Sequence, residues 1–529
     1  MMPLFDETPK LDQRPLHMQL TSVLPLVLAG LLAAFSASAQ TATNAAVRQI
    51  SLDDCIQMAL QHNLGLQINR INPSIARLNL FGSYGVYDPT FRAGAAHNED
   101  TRPGGFNNTV GITTPPNTTQ WGDFSAGFSG YAPTGLRYSL GTGMQHTTGQ
   151  TPQFDTNLNQ FVLVDRNPQY SSYARLAEVT QPLLKDFWID QSRMTIQLNK
   201  KNVKISDLTL QYQVMGIVRA VQQAYYDLIS TRENVKALQL ALELADRLVV
   251  ENKRKVEIGT MAELDEQQAE AQAAQARADL IQASNSVVLA QNTLKRLFTD
   301  NYQEWHGVRL DTIDPLSDSP VIFNLADSWT SGLELRPDYL QLKVEVEKQN
   351  IVLKYNYNQL FPSLDLTGSY GRSGLAMTAG DSYQSIAANE NPSWGVGGVL
   401  SFPLTRRSAR ASYKVAKDQV KEALLTLKQK EQDIIVDIDD ATKTAQSSLE
   451  RVQATRQARV FAEAALLAER KRLESGKSTT FVVLRLQRDL TTTQVSEIRA
   501  LADYNKALSE LYFRDGTILR RNRVSFEMK

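Results

Sequence analysis

The sequence is poor in the residues on which most catalytic and metal sites depend. Its single cysteine, Cys55, excludes an intramolecular disulfide. The formal net charge is zero, so no strong electrostatic field is expected to attract nucleic acid. Neither metal-ligand spacing nor a nucleophile–base arrangement is found among the five histidines, which are His17, His62, His97, His146 and His306. Catalysis, a bound metal or cofactor and a nucleic-acid partner are therefore not expected.

Proline is absent from two long tracts, one between Pro182 and Pro315 and one after Pro403. Because proline breaks helix interiors, tracts of this length favour long helices. One glycine interrupts each tract in similar surroundings, Gly259 in VEIGTMAEL and Gly476 in LESGKSTTF. Each tract is therefore predicted to form a long helix, a turn at the glycine and a returning helix.

An apolar seam with a strict spacing of seven residues runs through the first tract, the pattern of a coiled coil. It predicts a helix over about residues 190–258, roughly 100 Å long at 1.5 Å per residue. Thr260 and Glu263 match a capping box, which predicts a returning helix that starts there and ends near Phe298. The second tract repeats this plan over residues 408–513, with its turn at the glycine. The seam consists of Val214, Val221, Leu228, Val235, Leu242, Val249 and Val256, with Ile217, Ala224, Leu238 and Ala245 in the intervening steps.

The chain contains two copies of one unit. Residues 52–84 and 325–359 are also predicted to be helical, and each leads into strands, so the order in each copy is helix, strands, long helix, glycine turn, shorter helix. The two shorter helices together match the long one in length, so they are expected to stack end to end beside it, as in the wall of a tube. The predicted boundaries are a signal peptide at 1–39, a first repeat at 40–298 with strands at about 88–181 and a helical hairpin at 190–298, a linker at 299–321, a second repeat at 322–515 with strands at 361–404 and a hairpin at 408–513, and a C-terminal tail at 516–529.

Between the helices, apolar and polar residues alternate, as in LRYSLGTGM, SLDLTGSYG and SWGVGGVLSF. Segments of about ten residues with aromatic ends are typical of outer-membrane barrel strands, although any one of them alone could be a soluble hairpin. Four such strands are expected in the first copy and two in the second. Residues 121–145 resemble an extra hairpin that could enlarge the barrel or cap it. One chain has too few strands to close a barrel, so several copies are expected to form one barrel together.

The N-terminal residues have the order of a secretory signal. Lys10 and Arg14 precede an apolar run at residues 20–35, and Ala-Ser-Ala at residues 37–39 follows it. The run is short for a membrane-spanning helix, which needs about 20 apolar residues. Cleavage is therefore favoured over a retained anchor, and Met18 is an alternative start.

Several tracts give the chain a resemblance to the TolC-like outer-membrane efflux family. They are SLDDCIQMALQHN, VTQPLLKDF, LSFPLTRRS and GKSTTFVVLRLQRDLTTTQVSEIRALADYNKALSELY. The resemblance implies a mainly α fold with membrane β structure: a homotrimer whose 12-stranded β-barrel, with four strands per chain, continues into a periplasmic α-helical barrel. It also implies that the protein is the exit duct of a tripartite efflux or type I secretion system. The duct would lie in the outer membrane, in contact with its lipid. Its partners would be a periplasmic adaptor protein and an inner-membrane pump.

By this resemblance, the two glycine turns are the periplasmic tips of helical hairpins, and a trimer places six tips in a ring. The alternative reading is that each glycine only ends a helix. The tip residues expected to meet the adaptor are Ile258, Gly259 and Thr260 in the first hairpin and Ser475, Gly476, Lys477 and Ser478 in the second.

The resemblance also implies a constriction of the tunnel near the tips. Aligned on the glycines, Asp265 matches a gate aspartate of the family, and Glu263 lies beside it; acidic residues also favour a helix N-terminus for local reasons. The second repeat departs from the family, because Val482 and Arg485 hold the positions of acidic rings and Ser478 that of the gate arginine. The adjacent Lys477 is the alternative for that arginine. Our hypothesis is a constriction lined by Arg485 and Val482, with Asp265 paired to a basic neighbour. Three arginines there would oppose cations.

A secreted periplasmic or surface coiled-coil scaffold without a pore is the main alternative. The aromatic-ended alternating strands argue against it. Within channels, drug efflux and the secretion of protein or polysaccharide both remain open, because the inner-membrane pump selects the cargo.

Overall fold

A computed structural model describes residues 47–109, 111–321 and 324–524 of the chain. The predicted signal peptide at 1–39, the alternative start Met18 and residues 525–529 of the predicted tail lie outside the described residues. In the described part of the chain, no helix is both long enough and apolar enough to cross a membrane.

The first half alternates helices and strands before a long helical hairpin. Its elements are β1 (Val47–Ile50), α1 (Leu52–His62), α2 (Leu64–Ser83), β2 (Thr90–Arg102), β3 (Phe106–Asn107), β4 (Ile112–Thr113), β5 (Asn117–Tyr131), β6 (Arg137–Asp155), β7 (Gln160–Pro182), α3 (Gln191–Glu257) and α4 (Glu263–Phe298). The second half repeats the plan with fewer strands. Its elements are α5 (Tyr302–Trp305), β8 (Arg309–Thr312), α6 (Leu325–Leu335), α7 (Pro337–Asn358), β9 (Ser363–Ala376), α8 (Ala379–Ala387), β10 (Pro392–Ser401), α9 (Arg407–Glu474), α10 (Thr480–Arg514) and α11 (Ile518–Arg521).

The long helices lie where the proline-free tracts predicted them, and α3 and α9 contain 67 and 68 residues. The upstream helices differ from the prediction, since each is two helices with a sharp junction. Asn63 has extended backbone between α1 and α2, and Arg336 has extended backbone between α6 and α7. Arg336 precedes Pro337, whose ring disfavours helical backbone in the residue before it.

Six long strands form one sheet in the order β10-β9-β7-β6-β5-β2, and all neighbours are antiparallel. Four strands come from the first half and two from the second, which confirms the count made from the alternating segments. The four strands per chain implied by the resemblance are wrong for this chain. The reason is the hairpin β5–β6, which contains the predicted extra hairpin at 121–145 and pairs with both β2 and β7.

The sheet has one apolar and one polar face, because side chains alternate along each strand. Phe91, Phe128 and Leu140 form a row on the apolar face, and the rings of Phe91 and Phe128 are 5.0 Å apart. On the same face Trp394 pairs with Tyr370 and is 78% exposed. Small and polar residues occupy the other face, among them Ser125, Gly127, Ser139, Gly141, Glu178, Thr367 and Ser369.

The helices form a single layer of four columns. Helices α2 and α4 contact α3, α3 contacts α7 and α10, and these two contact α9. The predicted end-to-end stacking of the shorter helices is confirmed in both halves. Asn63 at the start of α2 donates to the carbonyl oxygen of Leu297 at the end of α4, 2.8 Å away, and Arg336 at the start of α7 donates to that of Arg514 at the end of α10, 3.4 Å away.

The main hydrophobic core surrounds the middle of α3. Val214, Val221 and Leu228 of the predicted seam are buried there, beside Phe298 and Phe513 at the ends of α4 and α10. Farther along, Val235, Leu242, Val249 and Val256 are only partly buried, and the buried stripe shifts to the intervening seam position Ala245 and to neighbouring residues. The reason is that a straight helix drifts by about 20° per heptad from a strict repeat of seven. The buried residues at that end of α3 are Ala245, Leu248 and Asn252.

The predicted linker at 299–321 has structure of its own. It contains α5 and β8, and β8 pairs in parallel with β1 at the beginning of the described chain. Tyr225 of α3 donates to the carboxylate of Asp314 at 2.8 Å, and Asp314 also accepts the backbone N–H of Leu52 at 2.8 Å. The linker thus fastens the first helix to the core.

Candidate functional site

The two helical hairpin tips have the same backbone geometry. Gly259 and Gly476 have φ values of +76° and +70°, a region that glycine enters without steric cost. In the first tip, the N–H of Gly259 donates to Val256 at 2.9 Å and that of Thr260 to Lys255 at 2.9 Å. These are the two hydrogen bonds of a Schellman motif, which closes the carbonyl end of a helix.

The second tip repeats that motif residue for residue. Gly476 donates to the carbonyl oxygen of Leu473 at 3.0 Å, and Lys477 to that of Arg472 at 2.9 Å. In both hairpins the returning helix starts four residues after the glycine, at Glu263 and at Thr480. The equal spacing supports the prediction that the two turns are corresponding positions of a duplicated unit.

The predicted capping box at the first tip is wrong. Ala262 is the N-cap of α4, and no side chain caps that helix. The hydroxyl of Thr260 instead donates to the carbonyl oxygen of Lys255 at 3.0 Å. Thr260 is committed to closing the helix that ends, so it is not available to start the helix that follows.

The tip residues differ in what they expose. Ile258 is 69% exposed at the first tip, whereas the corresponding Ser475 binds carbonyl oxygens of its own helix. At the second tip Lys477 is exposed, while the hydroxyl of Ser478 donates to the carboxylate of Glu469 at 2.5 Å. Of the two residues considered for the gate arginine position, Lys477 alone offers a cation to solvent.

The tips also differ in charge. Residues 251–266 contain three basic and five acidic side chains, whereas the matching residues 468–483 contain four basic and two acidic ones. Basic residues end both long helices, where they complement the helix dipole: Arg254 and Lys255 in α3, Lys471 and Arg472 in α9. The difference therefore comes mainly from the start of the returning helix, which is acidic in α4 and lacks acidic residues in the first turn of α10.

The four predicted constriction residues do not meet in one cluster within a single copy. Glu263 and Arg485 are exposed, and Asp265 and Val482 are partly buried. Among the ion pairs between described residues, none involves Asp265, so its predicted pairing has no counterpart inside one chain. The backbone carbonyl of Asp265 accepts from the side chain of Asn252 at 3.1 Å, which ties the start of α4 to α3.

A cleft between the N-terminal parts of α4 and α10 contains one residue of the predicted site, Arg485. It has a volume of about 380 Å³. Arg485 reaches this cleft opposite Gln268, which lies one helical turn after Asp265 on α4. Val482 does not contribute to its wall. The lining residues are Gln268, Ala271, Gln272, Phe481, Leu484, Arg485 and Arg488.

The junction between α6 and α7 holds a cluster of charges around one buried arginine, which the sequence analysis missed. Arg336 is 3% exposed, and its guanidinium donates to Asp338 at 2.8 Å and to Asp437 of α9 at 3.3 Å. Lys430 of α9 lies 2.9 Å from Asp338, and Arg514 lies 2.9 Å from Asp437. The cluster joins three helices at one point. The sequence Arg-Pro-Asp signals a helix start, but not the burial of the arginine.

The acid–base properties of this cluster follow from its hydrogen bonds. Burial alone would raise the pKa of Asp338, but the hydrogen bonds from Arg336 and Lys430 outweigh it and hold the pKa below its usual range. Burial likewise opposes the charge of Arg336, and the bonds to Asp338 and Asp437 overcome it, so the pKa of Arg336 is raised. Asp338 and Arg336 therefore both stay ionised at neutral pH.

The corresponding junction in the first half is held by a neutral side chain. Asn63 is 7% exposed; its oxygen accepts the N–H of Leu66 at 2.9 Å, and its nitrogen donates to Leu297. One amide thus caps α2 and joins it to α4. Asparagine before a helix is a visible N-cap signal, although the contact with α4 is not.

Two lateral edges of the helix layer carry unpartnered apolar residues. An exposed stripe runs along α2 at spacings of three and four residues, which is the pattern of a helix face that packs on another helix. Its members are Leu64, Ile68, Ile71, Ile75 and Leu78. The outer column at the other edge, α9, also exposes apolar residues along its length. They include Val415, Leu425, Val436, Val460 and Leu467.

No cluster of three or more metal-ligating side chains occurs among the described residues.

Comparison with known proteins relates this architecture to efflux proteins. The model of a family described as outer membrane efflux protein matches residues 137–299 and 331–517, once in each half. The outer membrane protein TolC of Escherichia coli (strain K12) is 22% identical over 326 residues, which cover 60% of this chain and 64% of that protein, slightly less than two thirds. TolC of Vibrio cholerae is 20% identical over 366 residues, covering 68% of this chain and 82% of that protein.

Solved structures show the same fold at low sequence identity. The Campylobacter jejuni CmeC outer membrane channel has a TM-score of 0.63 and 16% identity, with 88% of this chain and 86% of that chain covered. The outer membrane protein VceC of Vibrio cholerae has a TM-score of 0.62 and 16% identity, with coverages of 88% and 96%.

Proposed function

This chain belongs to the outer membrane efflux protein family, and on that basis we propose that it is the outer-membrane exit duct of a tripartite efflux or type I secretion system. In this role a homotrimer passively conducts cargo from an inner-membrane pump across the periplasm and the outer membrane. CmeC, whose solved structure has the same fold, is an outer membrane channel, and the proposal assigns no catalytic step to this chain.

The observation that carries the proposal is that a single copy has two edges without a packing partner, both in its sheet and in its helix layer. The apolar stripe on α2 and the apolar residues on α9 lie on opposite edges of the layer. A neighbouring copy related by rotation would place one edge against the other and bury both. Such head-to-tail contacts generate closed rings when the rotation closes.

The sheet has the same property. Its edge strands are β2 and β10, which leave rows of backbone N–H and C=O groups without partners in the sheet. β2 leads away from the helices and β10 leads back to them, so β2 of one copy and β10 of the next would pair antiparallel. Closure satisfies these backbone groups, as a lipid environment requires, and turns the face of Phe91, Phe128 and Trp394 outward.

The hairpin tips would form a ring at the far end of such a trimer. We assign adaptor docking to Ile258, Gly259 and Thr260 of the first tip and to Ser475, Gly476, Lys477 and Ser478 of the second. Their exposure, apart from that of the partly buried Ser478, supports this assignment. The constriction is assigned to Glu263, Asp265, Val482 and Arg485, with residues from neighbouring copies completing it.

Single-particle electron microscopy of the detergent-purified mature protein tests the proposal. We expect a threefold particle with a sheet barrel at one end and a helical stem about 100 Å long, given 1.5 Å per helical residue. Planar-bilayer recordings of the same sample are expected to show conductance. A dimer, or a rod whose sheets do not close, would overturn the duct and favour the coiled-coil scaffold.

A further inference from the structure

The hairpin β5–β6 is an integral part of the sheet. Residues Thr90–Arg102 of β2 pair continuously with β5, and β5 pairs with β6 from Thr118 to Tyr131. On its other side β6 pairs with β7 along nearly its whole length, with two register shifts. A hairpin that capped the barrel would leave β2 and β7 free to pair with each other, but here each pairs with a strand of the hairpin.

The two faces of the sheet continue through the hairpin without a break. Ala93, Ala126, Thr142 and Ala174 form one row across β2, β5, β6 and β7. Phe124, Phe128 and Leu140 of the hairpin extend the apolar face. The polar face continues through small hairpin residues, which are Ser125, Gly127, Ser129, Ser139, Gly141 and Gly143.

Two glycines are covered by aromatic rings, one within the hairpin and one between the hairpin and β7. The ring of Tyr138 lies over Gly130, where an added Cβ would be 2.3 Å from its hydroxyl oxygen. The ring of Tyr173 on β7 lies over Gly143, where a Cβ would be 2.7 Å from the ring. Aromatic rings that cover cross-strand glycines fix the register of a sheet. The contact of Tyr173 with Gly143 does so between the hairpin and β7.

The widths of the two layers also agree. Strands spaced about 4.8 Å apart and tilted by about 40° give roughly 38 Å of wall for six strands and roughly 25 Å for four. Four helix columns at about 9 Å give roughly 36 Å. Six strands therefore cover the same arc as the four helix columns of the same chain.

We propose that three copies of this chain close a barrel of 18 strands rather than the 12 implied by the family resemblance. The perimeter is then about 113 Å and the diameter about 36 Å between backbones, against about 24 Å for 12 strands at the same spacing and tilt. An even number of strands preserves antiparallel pairing around the ring. This inference rests on the proposed trimeric duct.

The strand count is measured by electron microscopy of the full mature chain in lipid nanodiscs. We expect 18 strands and a diameter of about 36 Å. A closed trimer with 12 strands, in which the hairpin lies inside or outside the barrel, would overturn the inference and leave the proposed function intact. A particle without a closed barrel would overturn both.

Cysteine pairs test the same point in the outer membrane of cells. Ala93→Cys with Ala126→Cys, and Thr142→Cys with Ala174→Cys, place thiols opposite each other on adjacent strands, within disulfide range. Both pairs are expected to oxidise, as measured by the loss of thiol labelling. A displaced hairpin would let β2 meet β7 and lose at least one of these disulfides.

Ala93→Cys with Ala174→Cys is the matched control. In the six-stranded sheet these positions are three strand spacings apart, roughly 14 Å, too far for a disulfide. Efficient oxidation of this pair would overturn the inference. The native Cys55 does not interfere, because it is buried and burial raises the pKa of its thiol to about 12.

Discussion

The two hairpin tips share a backbone but not a charge. Both close with a Schellman motif around a glycine of positive φ, and both resume the helix four residues later. Yet residues 251–266 carry an excess of two acidic side chains and residues 468–483 an excess of two basic ones. The comparison shows that one turn geometry supports two tip surfaces of opposite net charge. A ring of six tips would therefore alternate in charge, which allows two distinguishable contacts with a partner.

The helix junctions differ in the same way. Asn63 and Arg336 stand at equivalent breaks, and each joins two stacked helices, but only Arg336 does so within a cluster of charges. The first half thus relies on one amide and the second on several ions that must remain paired.

Arg336→Met should produce the largest effect, because it leaves Asp437 and Asp338 without their buried cation. Asp338 and Asp437 keep Lys430 and Arg514 as partners, so the loss is that of charge-assisted hydrogen bonds, about 1.5–3 kcal/mol each. Asn63→Ala should cost about 1–2 kcal/mol through the lost cap. The measurement is the thermal unfolding of the purified assembly, with the exposed Arg247→Ala as control. Equal shifts for the two junction variants would contradict the contrast drawn here.

Gly259→Ala and Gly476→Ala should have equal, smaller effects. Neither site has an atom within 4 Å of an added Cβ, so the cost is that of the left-handed backbone alone, about 1 kcal/mol. Faster amide hydrogen exchange at each tip reports it. Gly→Asn at the same positions is the control and should cost less, since asparagine tolerates this conformation. A large difference between the two tips would show that their turns are not equivalent.

Acid should weaken the second junction more than the first. The pKa of Asp338 is lowered in the folded protein, so its stabilisation is present above the unfolded pKa of about 3.9 and is lost as the pH falls through the folded value. Unfolding temperatures measured from pH 7 to pH 3 should fall less steeply for Asp338→Asn than for the unmodified protein. Asn63 does not titrate, so Asn63→Ala should leave the acid slope unchanged. Parallel slopes for all three proteins would count against this role of Asp338.

Arg485→Ala should have the smallest effect, a shift in ion selectivity. Removing a cation from the constriction should raise the cation-to-anion permeability ratio about twofold, equivalent to about 0.4 kcal/mol. Reversal potentials in a salt gradient measure this ratio, and Asp265→Asn is the matched control that should shift it the opposite way. If Arg485→Ala changes neither conductance nor selectivity, the assignment of Arg485 to the constriction is wrong.

The long helices could be predicted from the sequence to within a residue or so, because their ends depend on local chemistry. Asp190 caps α3 through its own side chain, and glycine ends both long helices. The prediction of a capping box at Thr260 was wrong. The threonine hydroxyl can either accept from an N–H of the following helix or donate to a carbonyl oxygen of the preceding one, and in the structure it donates to the preceding helix. For the sheet, counting the alternating segments gave six strands per chain, whereas the family resemblance implied four.

The remaining features depend on residues far apart in sequence. Nothing local shows that Arg336 meets Asp437, or that the 299–321 segment returns to pair with β1. The constriction could not be assembled from one chain for the same reason, because Arg485 lines a cleft whose wall does not include Asp265.

The stacked helices have a mechanical consequence. The helix junctions at Asn63 and Arg336 border one core, which contains both Phe298 and Phe513. The two columns made of stacked helices therefore have their junctions at the same height. Helices α3 and α9 pass that height with unbroken backbone ladders. The stiffness of the helix layer along its long axis therefore comes from α3 and α9. Each column of two stacked helices can transmit shear but resists little tension along that axis. When the helical stem is twisted, it should deform first at the height of these helix junctions, far from the hairpin tips.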